Sequence, residues 1–399
     1  MTTEILRREY KELEKIDSWT LIYGRRKVGK SFLVRKYVKS DIYFIITRDL
    51  QAYYLDGSFK RLDEAFSHAI KYLNNDKVVV IDEFQRMPEK YWDGLAGAHP
   101  KGRLILVGSS FRISRQVLDK KSPLLGLVLP FKIDIIKYSD TLSQVKDPLL
   151  SMIYRDPWTI NFVRGIDDLR DKAYQLFTVT KALIGEIFEE EERQLTNLYE
   201  AVLLSLAEGE WNTSTISGVL TSRGFNVTPS TISSYLETLV NMGLVEKLPI
   251  YGEKRRARWY YKITSPIISL MFYAEAKYNV SFTQDVGELP LGREIQFSIG
   301  ELLAEKYNAT FAYSPYEDID VVLLKKNRPI IGYEVKIGEF SRADAERAIE
   351  RIRSAGIPKA GLISLKERPN FNADEELGPE ELINYAEEVF KRNVSELIY

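Results

Sequence analysis

The chain has 399 residues, a formal net charge of −1, no cysteine and two histidines. This composition excludes disulfides, thiolate metal sites, a cysteine nucleophile and a histidine metal cage. A net charge near zero means that any surface for nucleic acid has to be local. The length predicts roughly two to four domains. No apolar run approaches the roughly 18 residues of a transmembrane helix, so we expect a soluble, cytoplasmic protein without membrane contact.

The first predicted strand, WTLIY (19–23), leads directly into GRRKVGKS at residues 24–31. An ordinary basic turn is one interpretation of this stretch, and a loop for nucleotide phosphates is the other. The two glycines permit torsions that let successive N–H groups converge on phosphate oxygens, and the helix that follows adds its positive end. At this spacing Lys30 would reach the β- and γ-phosphates, and Ser31 would bind Mg²⁺. The predicted nucleotide contacts are Gly24, Arg25, Arg26, Lys27, Val28, Gly29, Lys30, Ser31 and Phe32.

Two further apolar runs, KVVVIDE (77–83) and GRLILVGSS (102–110), alternate with helix-like segments. This order predicts a parallel sheet covered on both faces, whose functional site lies at the carboxyl ends of its strands. Asp82 at such an end suits a Mg²⁺ ligand, and Glu83 suits a residue that orients or deprotonates the attacking water. Ser109 or Ser110 would face the γ-phosphate. With these strand ends beside it, the loop is interpreted as a phosphate loop.

The segments LIYGRRKVGKSFLV, VVVIDEFQRM, LILVGSSFRIS and SPLLGLVLPFKI, in this order, resemble archaeal AAA-type P-loop ATPases near the signal-transduction NTPases with numerous domains. The resemblance implies ATP and Mg²⁺ as cofactors and ATP hydrolysis as the activity. One departure is Leu127, which stands where the family has an arginine after the glycine of its "PLxGR" segment. The family's "GGxP" segment is replaced by YRDPW (154–158). The arginines considered as substitutes are Arg112, Arg115 and Arg155.

Residues 149–190 are predicted to form short helices, which the resemblance identifies as a helical lid. They lead into the acidic run GEIFEEEERQ (185–194), which is interpreted as a solvated helix face.

Residues 191–282 show three helical patterns and two strands, which is typical of a winged helix-turn-helix. The third helix is predicted to start at Pro229, with Thr228 as its cap, and to stop at Gly243. It carries no Lys or Arg, so it is poorly suited to reading DNA. Two interpretations stay open: DNA contact through the basic hairpin tip, or a structural connector with a solvated hairpin. The tip residues are Lys254, Arg255, Arg256 and Arg258.

Residues 283–399 have the order helix, strand, turn, strand, helix, strand, and resemble the PD-(D/E)xK nuclease core. If the hairpin turns symmetrically about Asn327, Asp320 faces Glu334, and two opposed carboxylates repel unless a cation lies between them. On this resemblance Asp320 and Glu334 would bind Mg²⁺, and Lys336 would position or activate water. Gln296 occupies the position where the nuclease pattern has a helix carboxylate, and Glu294 and Glu301 are the two candidates to replace it.

The predicted fold class is α/β: a P-loop NTPase parallel sheet with a helical lid, a winged helix-turn-helix and a small α/β restriction-endonuclease-like domain. The predicted boundaries are 1–148, 149–190, 191–282 and 283–399. The predicted function is Mg-ATP binding and hydrolysis in association with DNA. Two alternatives stay open, a regulatory ATPase whose other domains only bind partners and a DNA-binding regulator with negligible catalysis. A homo-oligomer or a protein partner is compatible with each.

Overall fold

The computed structural model describes residues 4–252 and 259–395. They divide into two compact units. The N-terminal unit consists of Arg8–Ile135 together with Leu183–Gln194, and the C-terminal unit contains the other described residues. Among the described helices, none combines the length and apolar character needed to cross a membrane.

A seven-stranded sheet forms the centre of the N-terminal unit, with strand order β4-β3-β2-β5-β6-β1-β7. The strands β2, β5, β6, β1 and β7 are parallel, and β3 and β4 extend the β2 edge as antiparallel strands. The predicted parallel sheet is therefore confirmed. The strands are β1 (Thr20–Tyr23), β2 (Ile42–Ile46), β3 (Gln51–Tyr54), β4 (Phe59–Arg61), β5 (Val78–Asp82), β6 (Arg103–Gly108) and β7 (Leu129–Lys132).

Helices cover both faces of this sheet, which explains why its central strands are apolar throughout. In β5, Val79 and Ile81 belong to one buried cluster, whereas Val80 belongs to the cluster on the opposite face. The helices are α1 (Tyr10–Lys15), α2 (Lys30–Tyr37), α3 (Leu62–Leu73), α4 (Trp92–Ala98) and α5 (Phe111–Val117), with 3₁₀ turns at Phe84–Arg86 and Glu89–Tyr91.

The C-terminal unit begins with helices α6 (Tyr138–Val145), α7 (Pro148–Ile153) and α8 (Asp168–Asp171), and a 3₁₀ turn at Pro157–Asn161. Helix α9 (Ala173–Glu190) follows, and its residues from Leu183 onward belong to the N-terminal unit. The predicted trio of helices is present as α10 (Asn197–Glu208), α11 (Thr213–Ser222) and α12 (Pro229–Asn241).

The end of this trio agrees with the sequence prediction in detail. Helix α12 begins at Pro229, and the Thr228 side chain accepts a hydrogen bond from the N–H of Thr231. Strands β8 (Val245–Pro249) and β9 (Trp259–Ile263) then pair antiparallel. The basic tip with Lys254, Arg255, Arg256 and Arg258 lies outside the described residues, and the assignment of the segment as a winged helix-turn-helix stays a prediction.

A five-stranded sheet of order β10-β11-β12-β13-β14 completes the C-terminal unit. Its strands are β10 (Thr310–Ser314), β11 (Ile319–Lys325), β12 (Arg328–Lys336), β13 (Ala360–Ser364) and β14 (Glu375–Leu377). Helices α15 (Leu291–Tyr307), α16 (Arg342–Ser354) and α17 (Pro379–Ser395) contact this sheet. Helix α13 (Pro266–Tyr278) packs against α10 and is followed by α14 (Val280–Thr283).

The β11–β12 hairpin has the strand register that the sequence predicted, but its turn differs from the predicted turn. The turn consists of Lys326 and Asn327, both with positive φ (50° and 61°), as in a two-residue hairpin loop. A register shift next to Leu324 then restores the pairing Val321↔Tyr333. The turn is therefore not centred on Asn327, and an irregularity in the ladder compensates for the offset.

Gly24, at the end of β1, is required by the close approach of the residue after β7. A Cβ added at Gly24 would lie 1.9 Å from the carbonyl oxygen of Ile133. Gly57 is a suitable control because its φ is also positive (88°), while nothing in the described residues lies within 4 Å of an added Cβ. We expect Gly24→Ala to lower the free energy of unfolding by at least about 2 kcal/mol more than Gly57→Ala. Urea denaturation of both variants measures this, and equal midpoints would contradict the packing described.

Candidate functional site

The loop at residues 24–31 connects β1 to α2 and has the backbone conformation that a phosphate cradle requires. Lys27 (φ 64°) and Gly29 (φ 93°) adopt left-handed torsions that alternate with other conformations, which turns neighbouring N–H groups toward one concavity. Val28 is fully buried and packs in the core with Leu33 and Val34 of α2, so the loop is anchored from inside. Phe32, in contrast, is half exposed.

Lys30 lies inside this loop and is almost completely buried. Its Nζ donates hydrogen bonds to the carbonyl oxygens of Gly24 (2.8 Å) and Arg25 (2.7 Å). Burial lowers the pKa of Lys30 to about 7, although Glu83 and Asp82 act in the opposite direction. An anion bound in the loop would favour the charged ammonium, so the site is suited to phosphate.

The two carboxylates at the end of β5 have different environments. Asp82 is buried and accepts hydrogen bonds from the Tyr43 hydroxyl (2.6 Å) and from the N–H of Glu83 (2.8 Å). Burial and Asp82 both raise the pKa of Tyr43, which keeps its proton for this hydrogen bond. Glu83 adopts a left-handed backbone conformation (φ 56°, ψ 40°), an uncommon conformation that occurs disproportionately at functional sites.

The Glu83 carboxylate is bound on both of its oxygens. Oε1 lies 2.6 Å from Nη1 of Arg26, a residue of the phosphate loop. Oε2 accepts from Nε2 of Gln85 (2.8 Å) and lies 2.9 Å from Nη2 of Arg86. The Gln85 amide also donates to Oγ of Ser109 (2.8 Å), and Nη1 of Arg26 lies 3.3 Å from that same oxygen. Ser110 instead caps α5, so Ser109 is the serine that joins this network.

Residues 186–192, here called the acidic segment, contact the same network. Glu186 lies 3.0 Å from Nε of Arg26, and Glu190 accepts from Gln85 (2.7 Å) and from Arg86 (3.5 Å). Glu191 accepts from the N–H groups of Phe111 and Arg112 at the start of α5.

The prediction of a solvated helix face is therefore wrong for Glu186, Glu190 and Glu191, while Glu189 and Glu192 are exposed. A run of charges is usually solvated because water is its best partner. Here arginine side chains and helix N–H groups replace water.

The three arginines considered as substitutes for the family arginine are engaged elsewhere. Arg112 pairs with Glu192 (2.8 Å), and Arg115 lies 3.5 Å from Glu191. Arg155 lies in the C-terminal unit, where it pairs with Glu301. Glu83 is instead contacted by Arg86 and by the phosphate-loop residue Arg26. The position of Arg26 in the loop motif predicted a contact with nucleotide, and nothing in the sequence indicated its contact with Glu83.

The Ser31 hydroxyl and the Asp82 carboxylate are hard oxygen donors of the kind that Mg²⁺ prefers. This donor set, next to a loop with the basic residues Arg25, Arg26, Lys27 and Lys30, fits a magnesium-bound nucleotide.

The second predicted cluster, Asp320, Glu334 and Lys336, comes together in the C-terminal unit. The pairing Val321↔Tyr333 places Asp320 beside Glu334, and Asp320 accepts from the N–H of Val335 (2.8 Å). Burial, and then the charge of Glu334, raises the pKa of Asp320 well above its usual range.

Helix α16 supplies counter-ions that the sequence pattern did not indicate. Arg351 lies 2.5 Å from Glu334 and 3.1 Å from Asp318, and Lys336 pairs with Asp344 (2.7 Å). Within residues 4–252 and 259–395, no group of three or more acidic or histidine side chains could hold a metal ion. In this arrangement Glu334 and Lys336 are paired with side chains of α16, and the predicted metal site stays a prediction.

Neither candidate for the missing helix carboxylate joins this cluster. Gln296 is buried on α15. Glu294 accepts from Ser269 (2.8 Å) and lies 3.2 Å from its neighbour Arg293. Glu301 pairs with Arg155 (2.5 Å) and Lys137 (3.1 Å).

Comparison with known proteins identifies one domain. Residues 17–126 match the family model described as an AAA domain, which confirms the AAA part of the resemblance for this segment; the nuclease-like part stays a prediction. No curated protein matches the chain.

Several solved structures are similar to the chain. A Walker-type ATPase of Pyrococcus abyssi is 19% identical over 66% of this chain and 94% of its own, with a TM-score of 0.48. The ORC2 protein of Aeropyrum pernix, in ADPNP–ADP complexes, is 15% identical over 68% of this chain and 94% of its own (TM-score 0.40). A signal-transduction ATPase with numerous domains and a tetratricopeptide repeat sensor, from Pyrococcus horikoshii, is 16% identical over 76% of this chain and 46% of its own (TM-score 0.28).

The environment of Glu301 gives a testable stability prediction. Burial raises its pKa, but Arg155 and Lys137 more than offset this and lower it from 4.5 to about 2. The stabilisation from this carboxylate is therefore complete above about pH 4.5 and is lost as pH falls toward 2. We expect Glu301→Gln to lower the free energy of unfolding by about 3 kcal/mol at pH 7, with a difference from wild type that shrinks below pH 4.5. Urea titrations at several pH values test this, with the exposed Glu346→Gln as the control; a difference that is undiminished at pH 2–3 would contradict it.

Proposed function

We propose that the N-terminal unit hydrolyses ATP in the presence of Mg²⁺. The observation that carries this proposal is the buried Lys30 ammonium, held inside a loop of alternating left-handed torsions and close to Asp82 and Glu83. The family match over residues 17–126 supports it.

The proposed roles follow from the positions of the side chains. The loop N–H groups and Lys30 bind the β- and γ-phosphates, which places the terminal phosphate at the carboxyl ends of β5, β6 and β1. Ser31 and Asp82 would hold Mg²⁺, which supplies charge neutralisation on the phosphate oxygens. Glu83 lies where it would orient the attacking water, with Ser109 beside it.

Hydrolysis is a substitution at the γ-phosphorus. The water oxygen forms a bond to that phosphorus while the bond to the β–γ bridging oxygen breaks, and the bridging oxygen leaves on ADP with the electron pair. The proton of the water passes to the Glu83 carboxylate and from there to the products. Glu83 can accept this proton only when its oxygens are not fully occupied by donors.

We further propose that the C-terminal unit docks a partner rather than cleaving DNA. The pairing of Glu334 with Arg351 and of Lys336 with Asp344 supports docking, because it neutralises the charges that a metal-dependent nuclease would use. DNA is the partner favoured by the basic residues at 254–258, and a protein partner is the alternative.

The ATPase proposal predicts different effects for two substitutions. Lys30→Met should abolish hydrolysis and weaken ATP binding at least about 10-fold, since it removes a positive charge that faces the phosphates in a largely dry site. Glu83→Gln should bind ATP and lower turnover about 100-fold or more. Phosphate-release assays and binding of a fluorescent ATP analogue measure both, with the exposed Lys39→Met as the control. A Lys30→Met protein with wild-type turnover would refute the phosphate-loop assignment.

The DNA proposal predicts a change in salt dependence. Replacing Lys254, Arg255, Arg256 and Arg258 by alanine should flatten the plot of log affinity against log salt by roughly 0.9 for each DNA phosphate that these side chains neutralise. Fluorescence anisotropy with duplex DNA at several salt concentrations measures the slope. An unchanged slope and affinity would favour a protein partner instead.

A further inference from the structure

We infer that Arg26 is a catalytic residue of the ATPase site. When ATP binds, the Arg26 guanidinium moves from the Glu83 carboxylate to the γ-phosphate. Before ATP binds, Glu186 and Glu190 position Arg26. This inference rests on the proposed ATPase function. The family to which the sequence is similar has an arginine at the position that Leu127 occupies here. Arg26, in the phosphate loop, would supply the missing arginine.

Arg26 lies where it can exchange one partner, the Glu83 carboxylate, for another, the γ-phosphate, with only a small movement of its side chain. The residue belongs to the loop that would surround the phosphates, and its guanidinium reaches the far side of the site to contact Glu83 (2.6 Å) and Ser109 (3.3 Å). Glu83 and Ser109 follow β5 and β6, and β6 lies between β5 and β1 in the sheet. The terminal phosphate is therefore expected between the loop and these two side chains, within reach of the same guanidinium.

The charges favour the exchange. Arg26 and Arg86 face three carboxylates, those of Glu83, Glu186 and Glu190. A triphosphate adds several negative charges next to these carboxylates, which repels them, and offers a stronger anion to Arg26. A guanidinium binds phosphate oxygens bidentately, so ATP competes directly with Glu83 and Glu186 for it.

The exchange also explains how Glu83 becomes able to act on water. In the described arrangement Oε1 is bound by Arg26 and Oε2 by Gln85 and Arg86. While donors occupy both oxygens, neither is free to accept a hydrogen bond from the attacking water. Transfer of Arg26 to the γ-phosphate frees Oε1 of Glu83 and places a positive charge where negative charge develops in the transition state.

Glu186 and Glu190 act through Arg26 and Gln85, so they are positioning residues. Glu186 holds Nε of Arg26 at 3.0 Å, and Glu190 binds Gln85 at 2.7 Å. Both contacts favour the arrangement in which Arg26 stays on Glu83. Removing these two charges should therefore increase the affinity for ATP, whose γ-phosphate binds Arg26. The affinity for ADP, which has no γ-phosphate, should change little.

The test compares ATP and ADP binding to the full chain with Glu186→Gln and Glu190→Gln combined. We expect the affinity for a non-hydrolysable ATP analogue to increase about 5-fold or more, the lower end of typical coupling between sites, while the affinity for ADP changes less than about 2-fold. Glu189→Gln is the control, since it removes one negative charge from the same helix at an exposed position. If the acidic segment had a purely structural role, the double variant would change the affinities for ATP and ADP by the same factor.

Turnover provides the second measurement. Arg26→Ala should lower kcat by about 10³-fold, in the range found for arginines that contact the γ-phosphate, with a smaller change in KM, and Arg26→Lys should restore part of the activity. The inference is overturned if the double variant gains affinity equally for ATP and ADP or not at all, or if Arg26→Ala keeps wild-type kcat. If the wild-type protein shows no ATP binding that depends on Lys30, the proposed function itself is overturned, and the inference with it.

Discussion

The contact between Arg26 and Glu83 links the phosphate loop to the carboxylates at the end of β5. One residue lies in the loop after β1 and the other follows β5, with Ser109 at the end of β6 between them. The parallel order of these strands brings the three ends to one edge of the sheet. In the proposed mechanism, the same contact determines whether Glu83 is free to act as a base and whether the loop has an arginine available for an incoming phosphate.

The sheet and the phosphate loop could be predicted because their signals are local. Apolar runs such as Val78–Asp82 indicate strands buried on both faces, and the two glycines of the loop indicate its torsions. The acidic segment could not be assigned in this way, because its partners lie between 80 and 160 positions earlier in the chain. Charge alone favoured water as the partner of Glu186 and Glu190, and tertiary structure supplies Arg26, Gln85 and Arg86 instead.

In the C-terminal unit, a hairpin symmetric about Asn327 predicted that Asp320 would lie beside Glu334. The pairing is present, although the turn consists of Lys326 and Asn327 and a register shift compensates for the offset. A cation was the expected means of relieving the repulsion of this pair. The structure supplies a guanidinium from α16, because Arg351 faces the sheet at the position where it reaches both Glu334 and Asp318. Which helical residue meets a strand depends on helix packing, which periodicity does not determine, and the same limit applies to Glu301 and its partner Arg155.

We propose that a nucleotide phosphate replaces Glu83 as the partner of Arg26 when ATP binds. A double-mutant cycle of Arg26→Met and Glu83→Gln tests it most directly, because the cycle isolates the energy of this one pair. Stability would be measured for the four proteins without nucleotide and at saturating Mg²⁺ and non-hydrolysable ATP analogue. We expect a coupling of about 1 kcal/mol or more without nucleotide and a coupling near zero with it. The same coupling under both conditions would contradict the proposal.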